Sequence, residues 1–355
     1  MDKNLRTALA TVVSVEGSSY RRPGARMLIT EAGILTGAIS GGCLEGDALK
    51  KALSAIHQQE NKLVTYDTTD EDDAKFGVQL GCNGVVHILF EPIKEDAETS
   101  PITILKALQQ QREDAVISSL FSLTSKTQLG TSMLYRNGSR LGNTPSEIEN
   151  ELVTDSAAAL FTKTSAFKNY PFQGEQIDGF IEYITPPISL IIVGAGNDAQ
   201  PLATFADQLG WDVTVADGRP THAAPHRFPT ARQVLVSKSD LLLKQVSIDE
   251  HTAFVLMTHN YNYDLDLLGQ LLKTDAPYIG VLGPKKKLHR MLAELNAPDE
   301  ERIYGPVGLD IGAETAAEIA ISIIAEIKSV FSGATAGLLT KKAGPVHLHS
   351  SPQRQ

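Results

Sequence analysis

The segment ISGGCLEGD, residues 39–47, carries Cys43, one of only two cysteines in the chain. The thiol follows the pair Gly41-Gly42 and precedes a run with helical spacing, so we predict that it lies at a helix N-terminus. The dipole and free N–H groups there favour a thiolate, although two acids in the same segment partly oppose this effect. Cys43 is therefore a candidate to bind a ligand, and the alternative is a small apolar residue at a tight turn.

A cluster of arginines precedes this thiol along the chain. Arg21, Arg22 and Arg26 fall within the stretch EGSSYRRPGAR, which joins two predicted strands. Guanidinium groups bind phosphates and carboxylates through paired N–H donors. In an acidic chain this local positive charge indicates an anion site, and an exposed basic hairpin is the alternative.

The second cysteine, Cys82, is also flanked by glycine, in the sequence GCNG. Two cysteines do not complete a structural zinc site, which needs further ligands, and the spacing of His347 and His349 is too weak a signal to supply them. Whether the two thiols approach each other stays open at this point.

A glycine-rich turn later in the chain has the spacing of a dinucleotide-binding loop. Gly194, Gly196 and Asn197 belong to GAGNDA, which follows an apolar strand, opens a helix and fits the pattern G-x-G-x-x-A. The first glycine of such a turn allows the tight bend, the second admits a phosphate, and the helix N-terminus attracts it. Asp217 ends the next strand, roughly 20 residues on, where an acid commonly holds a ribose hydroxyl.

Polar residues follow several strands of this region at the ends where the strands finish. Because the carboxyl ends of parallel strands meet at one edge of a sheet, we expect these residues to converge at a ligand site. They are Asp217, Arg219, Thr258, His259 and Lys285. Lys285 begins a run of three lysines at a helix start, an unfavourable place for cations unless an anion such as a phosphate is bound. A solvated basic turn is the alternative, and His259 also fits a structural histidine.

The apolar pattern places these groups on an α/β framework. An N-terminal mixed α+β domain is predicted from a helix over 44–56 and strands at 7–15, 26–30, 34–39, 63–66 and 85–90. A C-terminal Rossmann-like doubly wound parallel sheet is predicted from alternating strands at 188–193, 212–216, 233–237, 252–257 and 278–282. Thr315 and Glu318 fit a capping box that starts a last helix, and Gly333 supplies its end.

The pattern changes at Pro186-Pro187, and the domain boundaries follow from this change. Residues 1–185 are predicted to form the N-terminal domain, 186–340 the Rossmann-like domain, and 341–355 a disordered tail. Within the first domain, residues 95–185 alternate short strand-like runs with polar turns and show no evident repeated unit.

The composition is typical of a soluble globular protein with an acidic surface. Hydrophobic residues make up 42% of the chain and charged residues 21%, with a formal net charge of −10. This charge argues against a nucleic-acid or anionic-membrane partner. The first residues do not fit a signal peptide, and no apolar run approaches the roughly 20 residues of a membrane helix. Two cysteines fit a reducing compartment, so a cytoplasmic location is predicted.

In their order along the chain, these motifs resemble those of the XdhC/CoxI family. The runs GSSYRRPGARM, GGCLEGD and GCNG are similar to the family's N-terminal domain. Four later runs are similar to the family's C-terminal Rossmann domain: GAGNDAQPLATFADQLGWDVTVADGR, THNYNYD, YIGVLGPKKK and PVGLDIGAETAAEIAISIIAEI. Asn197 departs from the histidine that is common at this place in the family.

Members of this family are accessory proteins of molybdenum hydroxylases such as xanthine dehydrogenase. The resemblance implies a chaperone that binds the molybdopterin cofactor, supports its sulfuration by a cysteine desulfurase and passes it to the apo-enzyme. It maps the family's cofactor-binding GGC cysteine onto Cys43, a molybdenum ligand through the cofactor, and a second cysteine onto Cys82. A homodimer is the default oligomeric state.

Two other functions stay open from the sequence. An NAD(P)-dependent oxidoreductase would use Asp217 on the ribose and His259 as a general acid or base. A scaffold would contact partner proteins and hold no cofactor. The sequence shows no clear proton relay around a substrate pocket, which favours the chaperone over an enzyme.

Overall fold

The structure, a computed structural model, describes residues 5–67, 84–94, 100–297 and 300–343 of the chain. The chain divides into two units, the first ending at Pro186 and the second beginning at Pro187. Unit 1 contains two antiparallel five-stranded sheets, and unit 2 contains one parallel six-stranded sheet. The predicted α/β class and the parallel C-terminal sheet are confirmed.

The first sheet of unit 1 has the strand order β3-β2-β1-β5-β4. Its strands are β1 Thr7–Gly17, β2 Arg26–Thr30, β3 Leu35–Gly37, β4 Lys62–Asp67 and β5 Gly84–Pro92. Helix α1, Glu45–Gln58, packs on this sheet through a stripe of buried small and aliphatic residues, Ala48, Ala52, Ala55 and Ile56. The spacing of this stripe is the helical periodicity from which α1 was predicted.

The second sheet of unit 1 has the order β8-β7-β6-β10-β9. Its strands are β6 Ala115–Phe121, β7 Gly130–Arg136, β8 Ser139–Gly142, β9 Ala166–Phe172 and β10 Glu175–Ile184. Helix α2, Pro101–Gln110, precedes the sheet along the chain, and α3, Glu149–Thr162, packs on it through Leu152 and Ala159.

These two sheets are copies of one topological unit. Each is built from three strands, a helix and two strands, and corresponding strands take the same place in the sheet. Helices α1 and α3 both begin at a glutamate and have the same length of 14 residues. Each is followed by a residue with left-handed φ, Gln59 at 56° and Lys163 at 52°. Although no repeated unit is evident in the sequence of residues 95–185, the described part of this segment repeats the topology of the first sheet.

Few residues mark this duplication in the sequence. Residues 24–28 and 130–134 share the pattern G-x-x-M-L at the start of the second strand of each copy. Gly37 and Gly142 each end the third strand with a positive φ. A Cβ at either glycine would overlap the backbone of the neighbouring strand, so both copies require glycine there.

Unit 2 is a parallel sheet with the strand order β13-β12-β11-β14-β15-β16, the order of a Rossmann fold. Its strands are β11 Ser189–Val193, β12 Asp212–Asp217, β13 Gln233–Val236, β14 Thr252–Leu256, β15 Tyr278–Val281 and β16 Ile303–Tyr304. Its helices are α4 Ala199–Gln208, α5 Ser239–Leu242, α6 Tyr261–Leu271, α7 Lys285–Glu294 and α8 Ala316–Ser332. All five strands expected here are confirmed, and β16 is too short to show a pattern. Across the described ranges no helix has the length and apolarity needed to cross a membrane.

The capping box at the start of α8 is also confirmed. The Thr315 hydroxyl accepts a hydrogen bond from the Glu318 amide at 3.3 Å, and the Glu318 carboxylate accepts one from the Thr315 amide at 2.8 Å. We expect Thr315→Ala to lower the free energy of unfolding by about 1 kcal/mol in urea titrations, because the Glu318 amide at the helix start loses the hydroxyl that accepts its hydrogen bond. Ser332→Ala in the exposed last turn is the control, and an equally small change in both variants would contradict this prediction.

Candidate functional site

Residues 38–44 connect β3 to α1, and Ser40 organises this turn. The Ser40 hydroxyl accepts hydrogen bonds from the amides of Gly42 at 3.2 Å and Leu44 at 3.1 Å, and it donates to the Glu45 carboxylate. Glu45 also accepts a hydrogen bond from the Ser40 amide at 3.0 Å. The turn is thus closed by its own side chains before the helix begins.

The two acids that follow the thiol both have partners of their own. Burial would raise the pKa of Glu45, but hydrogen bonds from the Ser40 hydroxyl and from backbone amides outweigh it, so this pKa lies below its usual value. Asp47 accepts a hydrogen bond from the Tyr66 hydroxyl at 3.0 Å. The carboxylates of Glu45 and Asp47, which were expected to oppose a thiolate at Cys43, are therefore each stabilised by hydrogen-bond donors of their own.

Cys43 carries a free, half-buried thiol at the end of this turn. Gly42, immediately before it, has a φ of 111°, which a side chain would strain. A Cβ at Gly42 would meet no atom of the described residues within 4 Å. As far as the described residues go, the backbone beside the thiol is therefore open to an approaching molecule.

The arginine loop between β1 and β2 lies against the same turn. The Tyr20 ring is so close to Gly41 that a Cβ on this glycine would come within 3.2 Å of it. The Arg21 guanidinium lies 5.6 Å from the centre of the Tyr20 ring, and its Nε is 3.5 Å from the Ser40 carbonyl oxygen. The structure thus places Arg21 against the turn that carries the glycine pair and the thiol. Sequence reasoning missed Tyr20, which is 68% exposed.

The other predicted residues of unit 1 have different positions. Arg22 is exposed in the same loop. Arg26 is engaged by Glu182, with Nη1 at 3.1 Å from one carboxylate oxygen and Nη2 bonded to the other. Because this ion pair occupies both terminal nitrogens of the guanidinium, Arg26 is not available to bind a ligand directly. Cys82 lies outside the described residues.

In unit 2 the glycine-rich turn has the shape that its sequence predicts. Gly194 has a φ of 117°, and a Cβ there would overlap the backbone of Met257 and Thr258 at the end of the neighbouring strand. Gly196 has no atom of the described chain within 4 Å of its Cβ position. The first glycine therefore allows the turn, and the second leaves space beside it.

Asp217, expected on a ribose hydroxyl, instead binds the protein itself. Its carboxylate accepts hydrogen bonds from the Ala195 amide at 2.8 Å and from Arg219 through the amide at 2.9 Å, Nε at 2.9 Å and Nη2 at 2.8 Å. Burial would raise the pKa of Asp217, but these hydrogen bonds outweigh it and the pKa lies below its usual value. The acid closes the glycine turn onto the end of β12.

Arg227, a residue that sequence reasoning missed, holds the turn from its other side. Its guanidinium donates to the carbonyl oxygen of Ala195 at 2.6 Å, to that of His222 at 2.8 Å and to Oδ1 of Asn197 at 2.9 Å. Both polar groups of the Ala195 backbone are therefore used within the protein. The contact joins residues far apart in the chain, and no local motif around Arg227 indicates it.

The remaining candidates lie at the ends of β14 and β15. Thr258 is buried and donates to Asp264 at 2.6 Å, and Asp264 forms an ion pair with Lys287 at 2.7 Å. His259 is exposed and has a left-handed φ of 58°, an uncommon conformation at the edge where ligands of such sheets bind. Lys285 is exposed at the first residue of α7. One of the three lysines is thus committed to a buried acid, which leaves the other two at the helix start.

The two regions offer different chemistry. The turn in unit 1 combines a free thiol, an open backbone and a guanidinium, which suits a ligand with both a soft metal centre and a phosphate. The turn in unit 2 offers arginines and a helix start but has its acid already engaged, which suits a phosphate better than a ribose diol. Together they define a protein class in which a duplicated, thiol-bearing α+β unit precedes a Rossmann unit in one chain.

The chain belongs to the XdhC and CoxI family. Residues 1–67 match that family, and residues 190–327 match the XdhC Rossmann domain. These matches confirm the resemblance found in the motifs.

Three relatives extend the comparison to almost the whole chain. A Bacillus subtilis protein named as a probable subunit of xanthine dehydrogenase is 34% identical over 319 residues, which is 90% of this chain and 91% of that protein. The molybdenum cofactor insertion chaperone PaoD of Escherichia coli is 24% identical over 331 residues, 91% of this chain and 82% of its own length. A crystal structure described as a xanthine dehydrogenase from Bacillus halodurans has a TM-score of 0.77 and 31% identity, and covers 94% of this chain and 93% of its own.

Proposed function

We propose that this protein is an accessory protein of a molybdenum hydroxylase and binds the molybdopterin cofactor at the turn that carries Cys43. The free thiol beside the open backbone of Gly42, with Arg21 against the same turn, is the observation that carries this proposal. A thiolate is a soft ligand suited to molybdenum, and a guanidinium suits the phosphate of the pterin. The names of two relatives, one for a molybdenum cofactor insertion chaperone and one for part of a xanthine dehydrogenase, support an accessory role.

The residues of the turn would divide the work of holding the cofactor. When bound, the cofactor would supply a metal centre and a phosphate. Cys43 would hold the metal centre, and Arg21 and Arg22 would hold the phosphate. Ser40 keeps the turn closed, and Gly41 and Gly42 let the ligand approach the backbone. We also propose that Cys82 takes part in cofactor binding as a second thiol. Sulfuration by a cysteine desulfurase, transfer to an apo-hydroxylase and a homodimeric state complete this proposal.

For the Rossmann unit we favour an anion-binding or structural role over NAD(P)-dependent oxidation. Asp217 is engaged by Ala195 and Arg219, so the carboxylate on which the oxidoreductase alternative depends is not offered to a ribose. His259 and Lys285 are exposed at the same sheet edge and remain candidates to contact a phosphate.

Equilibrium dialysis of the purified chain against molybdopterin and against NAD(H), in parallel and without oxygen, tests this proposal. We expect the protein to retain molybdopterin and to retain no NAD(H). Retention of neither would favour a scaffold that contacts partner proteins only. Retention of NAD(H) with hydride transfer to a carbonyl substrate would favour the oxidoreductase.

A further inference from the structure

The two copies in unit 1 are joined by a reciprocal pair of glutamates. Glu91 on β5 and Glu182 on β10 occupy the same register position relative to the G-x-x-M-L segment of their own copy. Each carboxylate reaches the glycine that opens this segment in the other copy, so that a Cβ at Gly24 would overlap Glu182 and one at Gly130 would overlap Glu91. The copies thus hold each other through equivalent contacts.

The partners of the two glutamates differ. Glu91 is almost fully buried and accepts hydrogen bonds from the amide of Thr131 at 2.6 Å and from its hydroxyl at 2.8 Å. Glu182 instead binds both terminal nitrogens of the Arg26 guanidinium. The copy that carries Cys43 therefore has an ion pair where the other copy has neutral donors.

The second copy shows that the fold does not require an arginine at this place. Ser132 corresponds to Arg26, and its hydroxyl donates to the Gly130 carbonyl oxygen at 2.9 Å. Arg26 makes the equivalent bond, from Nη1 to the Gly24 carbonyl oxygen, at 3.0 Å. Since a serine completes the same framework, the ion pair is an addition found in the copy with the thiol.

Arg26 lies where the two loops of the proposed cofactor site meet the sheet. The arginine loop returns at Gly24 and Ala25, whose backbone groups bond to Val12. The carbonyl oxygen of Arg26 accepts a hydrogen bond from the Ala38 amide at 3.2 Å, at the start of the turn that leads to Cys43. Fixing Arg26 therefore fixes the base of both loops.

We propose that Glu182 is a positioning residue for the Cys43 site. It holds Arg26, and through Arg26 it keeps the arginine loop and the thiol-bearing turn in the arrangement that receives the ligand. The identity of that ligand rests on the proposed function above. The second copy would thereby support a site to which it contributes no ligand of its own.

The test compares Glu182→Gln with Glu91→Gln, the same change at the equivalent position of the other copy. Glu91→Gln can keep both contacts with Thr131, because the amide oxygen can accept from the Thr131 amide and the amide nitrogen can donate to the Thr131 hydroxyl, which accepts as well as donates. Three readouts are taken: molybdopterin affinity, the rate of tryptic cleavage between Arg21 and Arg22, and the rate of Cys43 alkylation by iodoacetamide, resolved by peptide mass spectrometry. For Glu182→Gln we expect roughly tenfold weaker binding and roughly tenfold faster cleavage and alkylation, the scale at which the loss of an outer partner affects a ligand site. Glu91→Gln is expected to leave all three readouts unchanged.

Equal changes in the two variants would overturn the proposal, because they would show a general loosening of unit 1. A Glu182→Gln protein that cleaves, alkylates and binds like the unmodified chain would overturn it as well. If the unmodified chain does not retain molybdopterin, the proposed function fails, while the cleavage and alkylation rates still decide the positioning role. Should Glu182→Gln not fold, Arg26→Gln removes the same ion pair from the other side and is judged by the same rates.

Discussion

Replacing Cys43 by alanine is expected to reduce the molybdopterin retained by the protein to background. The affinity for molybdopterin should fall by at least roughly 100-fold, because losing an outer-shell partner can already cost that much and here a direct ligand is lost. The fold should persist, since Cys43 is half-buried in a loop and is not part of the hydrophobic core. Dialysis with fluorescence detection of the oxidised pterin measures the first effect, and urea titration the second.

Two further variants sharpen this expectation. Cys43→Ser should behave like Cys43→Ala, because a hydroxyl is a poor ligand for a soft metal. Ser146→Ala, in the equivalent loop of the second copy, should retain the cofactor fully. Full retention by Cys43→Ser would contradict metal ligation and indicate that the thiol acts only as a hydrogen-bonding group.

Asp217→Asn is expected to destabilise unit 2 by roughly 3 kcal/mol, because a buried carboxylate that accepts charged and backbone donors is replaced by an amide. One amide hydrogen would face the donors of Ala195 or Arg219, which leaves a buried donor unsatisfied. Urea denaturation at neutral pH measures this loss. Asp212→Asn on the same strand removes a more exposed ion pair with Arg232 and should cost less than about 1 kcal/mol.

The same residue predicts a pH dependence. Because the pKa of Asp217 is lowered on folding, its contribution is fully present above the usual aspartate value of 3.8 and is lost as the pH falls through the lowered value. The difference in stability between the unmodified chain and Asp217→Asn should therefore shrink in acid. If Asp217→Asn were as stable as Asp212→Asn but bound NAD(H) less tightly than the unmodified chain, this result would instead support the ribose-binding interpretation.

Local patterns predicted much of the framework. The central strands β11 and β14 are nearly continuous apolar runs because both faces of a parallel sheet are buried there. Together with three neighbouring strands they could be placed from the sequence. The capping box at Thr315 depends on residues close together in the chain, and the tight turn at Gly194 belongs to a local glycine pattern, so both could be predicted from the sequence. The turn at Cys43 likewise follows from a glycine pair before a helix.

Contacts between distant residues were not readable in this way. The engagement of Arg26 by Glu182 joins residues 156 positions apart, and nothing in the arginine loop indicates which of its cations is already neutralised. Asp217 matches a ribose-binding acid by spacing, yet the adjacent Arg219 and the turn itself use its oxygens. The duplication is not evident in the sequence, because the two copies share strand order and helix length but have few identical residues at equivalent positions.

The loop that carries the thiol behaves as an exchangeable insert between fixed anchors. Ala38 and Asn143 bond to equivalent carbonyl oxygens, of Arg26 and Ser132, and both helices begin at a glutamate. Between these anchors the first copy has residues 39–43 before Leu44 and the second has residues 144–147 before its counterpart Ile148, one residue fewer. A scaffold that accepts loops of different length and composition at the same place lets chemistry change there without a change of fold. The second copy therefore offers a ready position into which the glycine–cysteine loop of the first could be grafted.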